Sequence, residues 1–134
     1  MLTGGCLCGA VRYEAGGKPL GQAVCHCRNC QKQGGSAFSA LITVDASQLT
    51  VTGATKLYVD HGDSGQPVHR HFCGDCGSPL YSVLPANAAL AHLKAGTLDD
   101  PSIMAPRVNI WCDSAWPSTL FPENAIRIPR NPPG

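Results

Sequence analysis

The sequence predicts an all-β fold, and three observations support that prediction. Short segments in which apolar and polar residues alternate recur along the whole chain, a pattern typical of half-buried strands. Turn-forming residues separate these segments: the 134 residues include 15 glycines and 11 prolines, well above a usual combined share of roughly 12%. With 43% apolar and only 14% charged residues, the chain has the composition of a globular protein rather than a disordered one.

The individual strands follow from this alternation. Nine segments combine it with flanking Gly, Pro, Asp or Asn residues: 10–14, 22–27, 39–44, 49–53, 56–61, 68–73, 79–84, 91–96 and 107–112. Two others, 28–33 and 45–49, can form a helical turn, with Asp45 as the N-cap of the second. We expect the tail from Pro129 to be frayed. Because no linker or repeat interrupts the sequence, we expect residues 1–134 to form one domain.

Charge and hydropathy exclude several classes of partner. The formal net charge is +1 and no run of Lys or Arg occurs, so nothing favours binding to nucleic acid or to a membrane surface. No segment approaches the roughly 18 consecutive apolar residues of a membrane-spanning helix. The residues before the first cysteine contain neither a basic leader nor an apolar stretch of signal-peptide length. We therefore expect a cytoplasmic protein.

The eight cysteines are the main functional signal. In a reducing compartment, clustered cysteines indicate a metal site more often than disulfides. Seven of them form three local motifs, namely C-x-C at Cys6 and Cys8, C-x-C-x-x-C at Cys25, Cys27 and Cys30 (the triad), and C-x-x-C at Cys73 and Cys76. An extended C-x-C presents both sulfurs on one face. A C-x-x-C turn brings two sulfurs together, and glycines such as Gly74 and Gly77 ease the chain reversal.

The spacing also indicates which cysteines share an ion. A closed structural zinc site has four protein ligands, whereas a catalytic site usually has three and keeps one position open. The C-x-C and C-x-x-C pairs complete each other as a four-sulfur site, which leaves the triad by itself. Alternatively, Cys6 and Cys8 are only small buried hydrophobic residues. Cys112 stands alone as a buried free thiol, a reactive thiol, or a fourth ligand that closes the triad.

These motifs resemble those of the glutathione-dependent formaldehyde-activating enzyme family, which also includes centromere protein V. The matching segments are GGCLCGAVRYE, CHCRNCQKQGGSAF, RHFCGDCGSPLY, AGTLDDP and SAWPS. They occur in the family order from residue 4 to about residue 118 and include all seven motif cysteines. The resemblance therefore covers nearly the whole chain.

The resemblance implies a fold, two metal ions and an activity. The implied fold consists of several coiled antiparallel sheets in a zinc-stabilised β-tent. The implied ligands are Cys6, Cys8, Cys73 and Cys76 for a structural zinc, and Cys25, Cys27 and Cys30 for a catalytic zinc. The implied activity is that of a carbon–sulfur lyase, which joins a small thiol such as glutathione to formaldehyde or another small aldehyde, or cleaves the S-(hydroxymethyl) adduct. The alternatives are a non-catalytic zinc module that carries a thiol or binds a protein, and a redox protein that uses C-x-x-C.

An open three-thiolate zinc site suits a thiol substrate, which is a soft ligand. Deprotonation alone would gain little, because a roughly 30-fold rise in thiolate is offset by a roughly 20-fold loss of nucleophilicity. We therefore expect zinc to act mainly as a template that orients the thiol and the aldehyde. A zinc deaminase would need a glutamate near the ligands, but the only two, Glu14 and Glu123, lie away from the triad in the sequence.

Residues that follow the triad are candidates for substrate contacts. Gly35, Ser36 and Phe38 are predicted to form a floor beside the metal, with Ser36 hydrogen-bonding the substrate, although a plain loop-to-strand transition is the alternative. Arg28 and Lys32 can pair with substrate carboxylates or remain solvated surface charges.

Other aromatic and histidine residues have weaker assignments. His26 lies between two ligands and is expected to support them from the core, with proton transfer as the alternative. His69 and His71 share a strand face with Cys73 and are expected to be exposed or packing residues rather than ligands. Trp111 and Trp116 are expected in the core or in a pocket wall.

Overall fold

The structure, a computed structural model that describes residues 1–131, confirms the all-β prediction. The described part of the chain forms eleven strands, one α-helix and five short 3-10 helices. The strands are β1 (Leu2–Gly5), β2 (Arg12–Ala15), β3 (Gly21–Cys25), β4 (Ser39–Asp45), β5 (Leu49–Thr52), β6 (Thr55–His61), β7 (Pro67–Cys73), β8 (Pro79–Val83), β9 (Leu90–Lys94), β10 (Val108–Ile110) and β11 (Ile126–Arg127). The α-helix is α1 (Arg28–Gly34), and the 3-10 helices are Ala46–Gln48, Pro85–Asn87, Ala95–Thr97, Pro101–Ile103 and Cys112–Ser114.

The strands form two sheets. The small sheet has the order β1-β2-β5, and the large one has the order β11-β10-β3-β4-β9-β8-β7-β6. Most pairs are antiparallel, but β10 pairs in parallel with both β3 and β11. The implied antiparallel sheets therefore include two parallel pairs at this edge. Parallel strands need a long connection rather than a tight hairpin. Both pairs have one, because six strands separate β3 from β10 along the chain and residues 111–125 separate β10 from β11.

The core lies between the two sheets. From the large sheet, Ile42, Leu80 and Leu93 are completely buried, and Val11 and Tyr13 beside or on the small sheet belong to the same cluster. Because side chains alternate along a strand, the neighbours of these core residues point to the opposite face of the large sheet. That second face carries a cavity described below.

Several predicted elements have different bounds in the structure. The predicted helical turns form as α1 and as the 3-10 helix after Asp45, whose carboxylate accepts a hydrogen bond of 2.8 Å from the Ser47 N–H. The predicted strand 107–112 ends at Ile110, because Trp111 adopts a left-handed φ of 58°. No helix within residues 1–131 is long and apolar enough to span a membrane.

The tail is held more firmly than expected over its first residues. The carbonyls of Pro129 and Arg130 accept hydrogen bonds of 3.1 and 3.0 Å from the backbone N–H groups of Asp113 and Trp111. The expectation of fraying from Pro129 is therefore wrong up to Asn131, because the backbone there pairs with the segment after β10. Residues 132–134 lie outside the described part of the chain.

Candidate metal sites and substrate cavity

The four-cysteine cluster fits a closed metal site. The sulfurs of Cys6, Cys8, Cys73 and Cys76 all lie within 4.8 Å of one another. The Sγ atoms of Cys6 and Cys8 are 3.6 Å apart, and those of Cys8 and Cys73 are 3.8 Å apart. Tetrahedral zinc with Zn–S bonds of about 2.3 Å requires S···S distances of about 3.8 Å. The donor set and its spacing therefore suit zinc.

Local backbone structure presents these four sulfurs. The Cys73–Gly77 turn is closed by a 2.9 Å hydrogen bond from the Gly77 N–H to the Cys73 carbonyl, and Gly77 has a φ of +78° that suits glycine. Hydrogen bonds from the side chain and backbone of Ser78 lower the pKa of Cys76 to about 5. The expected extended C-x-C is wrong, because Cys6 and Cys8 follow β1 in a turn. That turn still brings their sulfurs together.

The triad forms a second cluster at the junction of β3 and α1. Cys25 ends the strand, Cys27 is the N-cap of the helix, and the Cys30 N–H donates to the Cys27 sulfur at 3.2 Å. The three sulfurs lie within 4.8 Å of one another. Hydrogen bonds from the other two thiols lower the pKa of Cys30 to about 2, aided by the charges of Lys94 and Arg70, whereas the same bonds raise the pKa of Cys25. Three soft sulfur donors, one of which already favours its thiolate form, suit a zinc ion.

Cys112 is not part of either cluster. Its thiol donates to the Asn109 carbonyl at 3.5 Å from the start of a 3-10 helix. The alternative that Cys112 is a fourth ligand of the triad is therefore not supported by the geometry. The triad is a three-sulfur group within the described residues.

A cavity of about 890 Å³ adjoins the triad and includes all three of its cysteines in its lining. Its floor is the face of the large sheet that points away from the core. Strand residues at alternate positions supply this floor, among them Ala23, Leu41, Arg70, Ser82, His92 and Lys94. The volume lies within the range of about 300–1,000 Å³ that is usual for small-molecule sites.

Two buried cations face this cavity, and no sequence motif singles out either of them. Arg70 is 6% exposed; its Nε donates to Asp60 at 2.8 Å, and its Nη1 lies 4.0 Å from the Cys30 sulfur. Lys94 is 7% exposed, and its Nζ donates to the Ser39 hydroxyl at 2.8 Å. Burial lowers the pKa of Lys94.

The two cations differ in charge balance. Arg70 forms an ion pair with Asp60, whereas no carboxylate pairs with Lys94 among residues 1–131. The charge on Lys94 is therefore balanced by the triad thiolates rather than by a carboxylate. The alternating pattern in 91–96 could have assigned Lys94 to one strand face, but not to a face that carries a cavity.

The residues predicted to contact substrate occupy different positions. Arg28 lines the cavity, while Lys32 lies exposed in the last turn of α1. Gly35, Ser36 and Phe38 lie beyond the C-terminal end of α1 and are not among the residues that line the cavity. The seven residues of α1 advance the chain by roughly 10 Å and carry Gly35 and Ser36 away from the triad. The chain returns toward the triad at Phe38, whose ring packs against His26, although Phe38 does not line the cavity. Their contact with substrate stays a prediction.

The positions of His26 and Trp111 agree with their assignments, whereas the assignment of Trp116 to the core or a pocket wall is wrong. His26 is buried, with its Nε2 3.0 Å from the Asn109 Oδ1, and its ring packs against Phe38 and Phe121. Trp111 lines the cavity, whereas Trp116 is 47% exposed and outside the lining.

The two histidines of β7 pack as expected. His71 stacks on Tyr81, with ring centroids 4.4 Å apart, and neither His69 nor His71 joins a metal-ligand group.

Comparison with known proteins identifies the family. The family model for the glutathione-dependent formaldehyde-activating enzyme matches residues 1–114. The chain belongs to this family. Its relatives include a Halomonas elongata protein that is 36% identical over 104 residues, covering 74% of this chain and 66% of that protein. An Emericella nidulans protein is 41% identical over 58 residues, which cover 42% of this chain and 28% of that protein.

Both relatives are named "Putative glutathione-dependent formaldehyde-activating enzyme". The chain thus matches just under two thirds of the length of the Halomonas relative. A solved Rhodobacter sphaeroides structure has the same fold, with a TM-score of 0.57 at 24% identity, over 78% of this chain and 92% of that one.

Proposed function

We propose that this protein is a zinc-dependent carbon–sulfur lyase that forms or cleaves an S-hydroxymethyl thiol such as S-(hydroxymethyl)glutathione. The observation that carries the proposal is the position of the triad, whose three sulfurs lie beside a cavity large enough for a substrate. Three protein ligands next to such a cavity are the arrangement of a catalytic rather than a structural metal site. Membership of the family supports glutathione as the thiol and formaldehyde as the aldehyde.

In this proposal the chain holds two zinc ions with different roles. Cys6, Cys8, Cys73 and Cys76 hold the structural ion, and Cys25, Cys27 and Cys30 hold the catalytic one. A zinc ion with three thiolate ligands can take a substrate thiol in its fourth position and favour its thiolate form. All eight cysteines are free of disulfides, and thiols must stay reduced to bind metal. We accordingly propose that residues 1–134 act as one zinc domain in the reducing cytoplasm.

Lys94 is suited to stabilise the charge that develops on the aldehyde oxygen. When the carbon–sulfur bond forms, the π electron pair of the carbonyl moves onto oxygen, and the proton that the thiol gave up ends on that oxygen. Cleavage reverses both changes, so no oxidant or reductant is needed. A buried ammonium without a carboxylate partner, positioned by Ser39, is a preorganised donor for such an oxyanion.

Arg28 and Arg70 are suited to bind the carboxylates of an anionic thiol. Both guanidinium groups line the cavity, and Arg70 is oriented by its 2.8 Å hydrogen bond to Asp60. Arg28 donates a hydrogen bond to the Gln31 side chain on the same helix, which fixes its guanidinium near the triad. Planar guanidinium groups recognise carboxylates through paired hydrogen bonds. We keep Gly35, Ser36 and Phe38 as predicted substrate contacts of lower priority, because they lie outside the cavity lining.

Turnover of a thiol with an aldehyde tests the proposal. The zinc-loaded protein is mixed with formaldehyde and glutathione, or with other cellular thiols, and the loss of free thiol is followed against a protein-free reaction. We expect acceleration by the wild-type protein, none by Cys27→Ser, and wild-type rates for the matched variant Cys112→Ser, whose thiol lies outside both clusters. Stable zinc retention without reversible disulfide formation would exclude the alternative that the protein is a redox protein using C-x-x-C. No acceleration with any thiol would instead favour a non-catalytic module that carries a thiol or binds a protein.

A further inference from the structure

We infer that the site also takes aldehydes that carry an apolar chain, so that its substrates include adducts of an anionic thiol with straight-chain aldehydes in addition to those with formaldehyde. This inference rests on the proposed function and names the substrate class of the same site. It follows from the way in which polar and apolar side chains are separated over the floor of the cavity.

The polar part of the floor lies on the strands toward β6. Arg70 on β7 is paired in register with Ser82 on β8, and Ser82 is paired with His92 on β9. His92 in turn pairs with Thr43 on β4, and the Thr43 hydroxyl lies 2.9 Å from its Nδ1. Lys94 lies two residues further along β9. These side chains provide the charges and hydrogen bonds that the thiol and the aldehyde oxygen need.

The apolar part of the floor adjoins the triad on the other side. Ile110 on β10 is paired in register with Cys25, and Val108 is paired with Ala23. Ala23 is also paired with Leu41 on β4, and Leu41 is paired with Lys94, so the polar and apolar parts of the floor meet at Leu41. Ala23, Leu41, Val108 and Ile110 all line the cavity, and none of their side chains can form a hydrogen bond. We call these four residues the apolar patch.

Formaldehyde leaves this patch uncovered. Its carbon bears only hydrogens, so an adduct held by the triad and by Lys94 places no group over Ala23 or Val108. A substituent on the aldehyde carbon would start beside Cys25 and run along β3 toward Ala23. Two residues of a strand span roughly 6.6 Å, and a zigzag carbon chain with bonds of about 1.5 Å advances roughly 1.3 Å per carbon. The apolar patch therefore accommodates a chain of about five carbons.

Covering the patch should produce a regular gain with chain length. Each CH₂ group transferred from water to an apolar surface improves affinity by about fourfold. The bond changes are the same, because the sulfur still adds to the carbonyl carbon, the π pair moves to oxygen, and the thiol proton ends there. An alkyl substituent lowers the intrinsic electrophilicity of the carbonyl carbon, so each aldehyde is compared with its own uncatalysed reaction. We expect the ratio of kcat/KM to the uncatalysed rate constant to rise from formaldehyde to pentanal and to level off for longer chains.

The first test measures binding without chemistry. S-methyl-, S-propyl- and S-pentylglutathione, which are unreactive thioethers, are titrated into the zinc-loaded protein by calorimetry. We expect the Kd to fall by about fourfold for each added CH₂, and equal affinities along the series would overturn the inference.

Ala23→Leu, which fills the space above β3, should reduce the pentyl-to-methyl affinity ratio at least tenfold. Val108→Thr, which keeps the shape and adds a hydroxyl, should lower the same ratio, whereas Ala54→Leu, at an exposed position outside the cavity lining, should not change it.

The second test uses turnover and separates the two proposals. The loss of glutathione is followed with formaldehyde, propanal and pentanal at equal concentrations, with and without protein. A ratio of kcat/KM to the uncatalysed rate constant that rises with chain length, and that Ala23→Leu flattens, would support the inference. Acceleration with formaldehyde but no gain with the longer aldehydes would overturn the inference and leave the proposed function standing. No acceleration with any aldehyde would overturn both.

Discussion

Loss of one sulfur from the four-cysteine cluster should destabilise the protein about twice as much as loss of one from the triad. The difference follows from the length of chain that each cluster closes. Cys8 and Cys73, whose sulfurs are 3.8 Å apart, are separated by 65 residues, whereas the triad spans only residues 25–30. Closing a loop of that longer length lowers the entropy of the unfolded chain by an amount worth about 4 kcal/mol, and closing six residues is worth about 2 kcal/mol.

The expected shifts in melting temperature are large enough to measure. For a chain of this size, 1 kcal/mol corresponds to roughly 3–5 °C. Cys73→Ser should therefore lower the Tm by roughly 12–20 °C and Cys27→Ser by roughly 6–10 °C. Circular dichroism melts give the Tm, and inductively coupled plasma mass spectrometry gives the zinc content per chain. We expect the Cys27→Ser variant to stay folded and to retain the structural ion only.

Two outcomes would refute this reasoning. One is a Cys27→Ser variant that melts at or below the Tm of Cys73→Ser, which would mean that the triad, and not the four-cysteine cluster, holds the fold together. The other is a Cys73→Ser variant within a few degrees of the wild type. Cys112→Ser serves as the matched control, because it removes a thiol that belongs to neither cluster.

Three further predictions concern the cavity and the small sheet. Lys94→Met should lower kcat/KM by about 10²–10³-fold with unchanged zinc content, as loss of one oxyanion donor does. Lys94→Arg should recover part of the rate. Equal kinetics for the wild type and both variants would contradict the role of the charge. Asp99→Asn should lower the Tm at pH 7, because the Arg12 guanidinium holds the pKa of Asp99 at about 2, below the ordinary aspartate value of 3.8. Since a lowered pKa stabilises the folded state only while the carboxylate is ionised, the Tm difference should vanish as the pH falls from 3.8 to about 2. Gly4→Ala should cost about 1–3 kcal/mol in urea unfolding, because its Cβ would collide with neighbouring atoms, whereas Gly21→Ala, with no atom within 4 Å of a Cβ, should cost little.

The metal clusters could be predicted from sequence because their geometry is local. Cys25, Cys27 and Cys30 lie within one strand end and one helical turn, so their spacing alone brings the sulfurs together. The partner of the C-x-C motif could be predicted by elimination, since only one other pair remained. The turn at Cys6 was less predictable, because glycines on both sides of a C-x-C permit either an extended or a turned backbone.

The strands at the ends of the chain could not be predicted in the same way. β1 has the sequence LTGG, and glycine is depleted in strands. β11 has only two residues, and it forms because β10 offers a free edge. Neither signal is visible without the rest of the sheet.

The cavity residues were missed for a related reason. Alternation assigns Arg70 and Lys94 to strand faces, but only the assembled sheet shows that those faces meet the triad. Conversely, Ser36 was selected because it follows the triad in sequence, and α1 then carries the chain away from it.

The two faces of the large sheet give the protein separate places for stability and for specificity. On β4, Ile42 belongs to the core while its neighbours Leu41 and Thr43 line the cavity, and on β9 Leu93 alternates with His92 and Lys94 in the same way. A substitution at a cavity position therefore changes what the protein can bind without repacking the interior. Cavity positions without a role in the chemistry, such as Leu41 and Thr43, can therefore vary while the sulfur ligands and the core stay fixed. Proteins with this fold can therefore change their substrate without a compensating increase in folding stability.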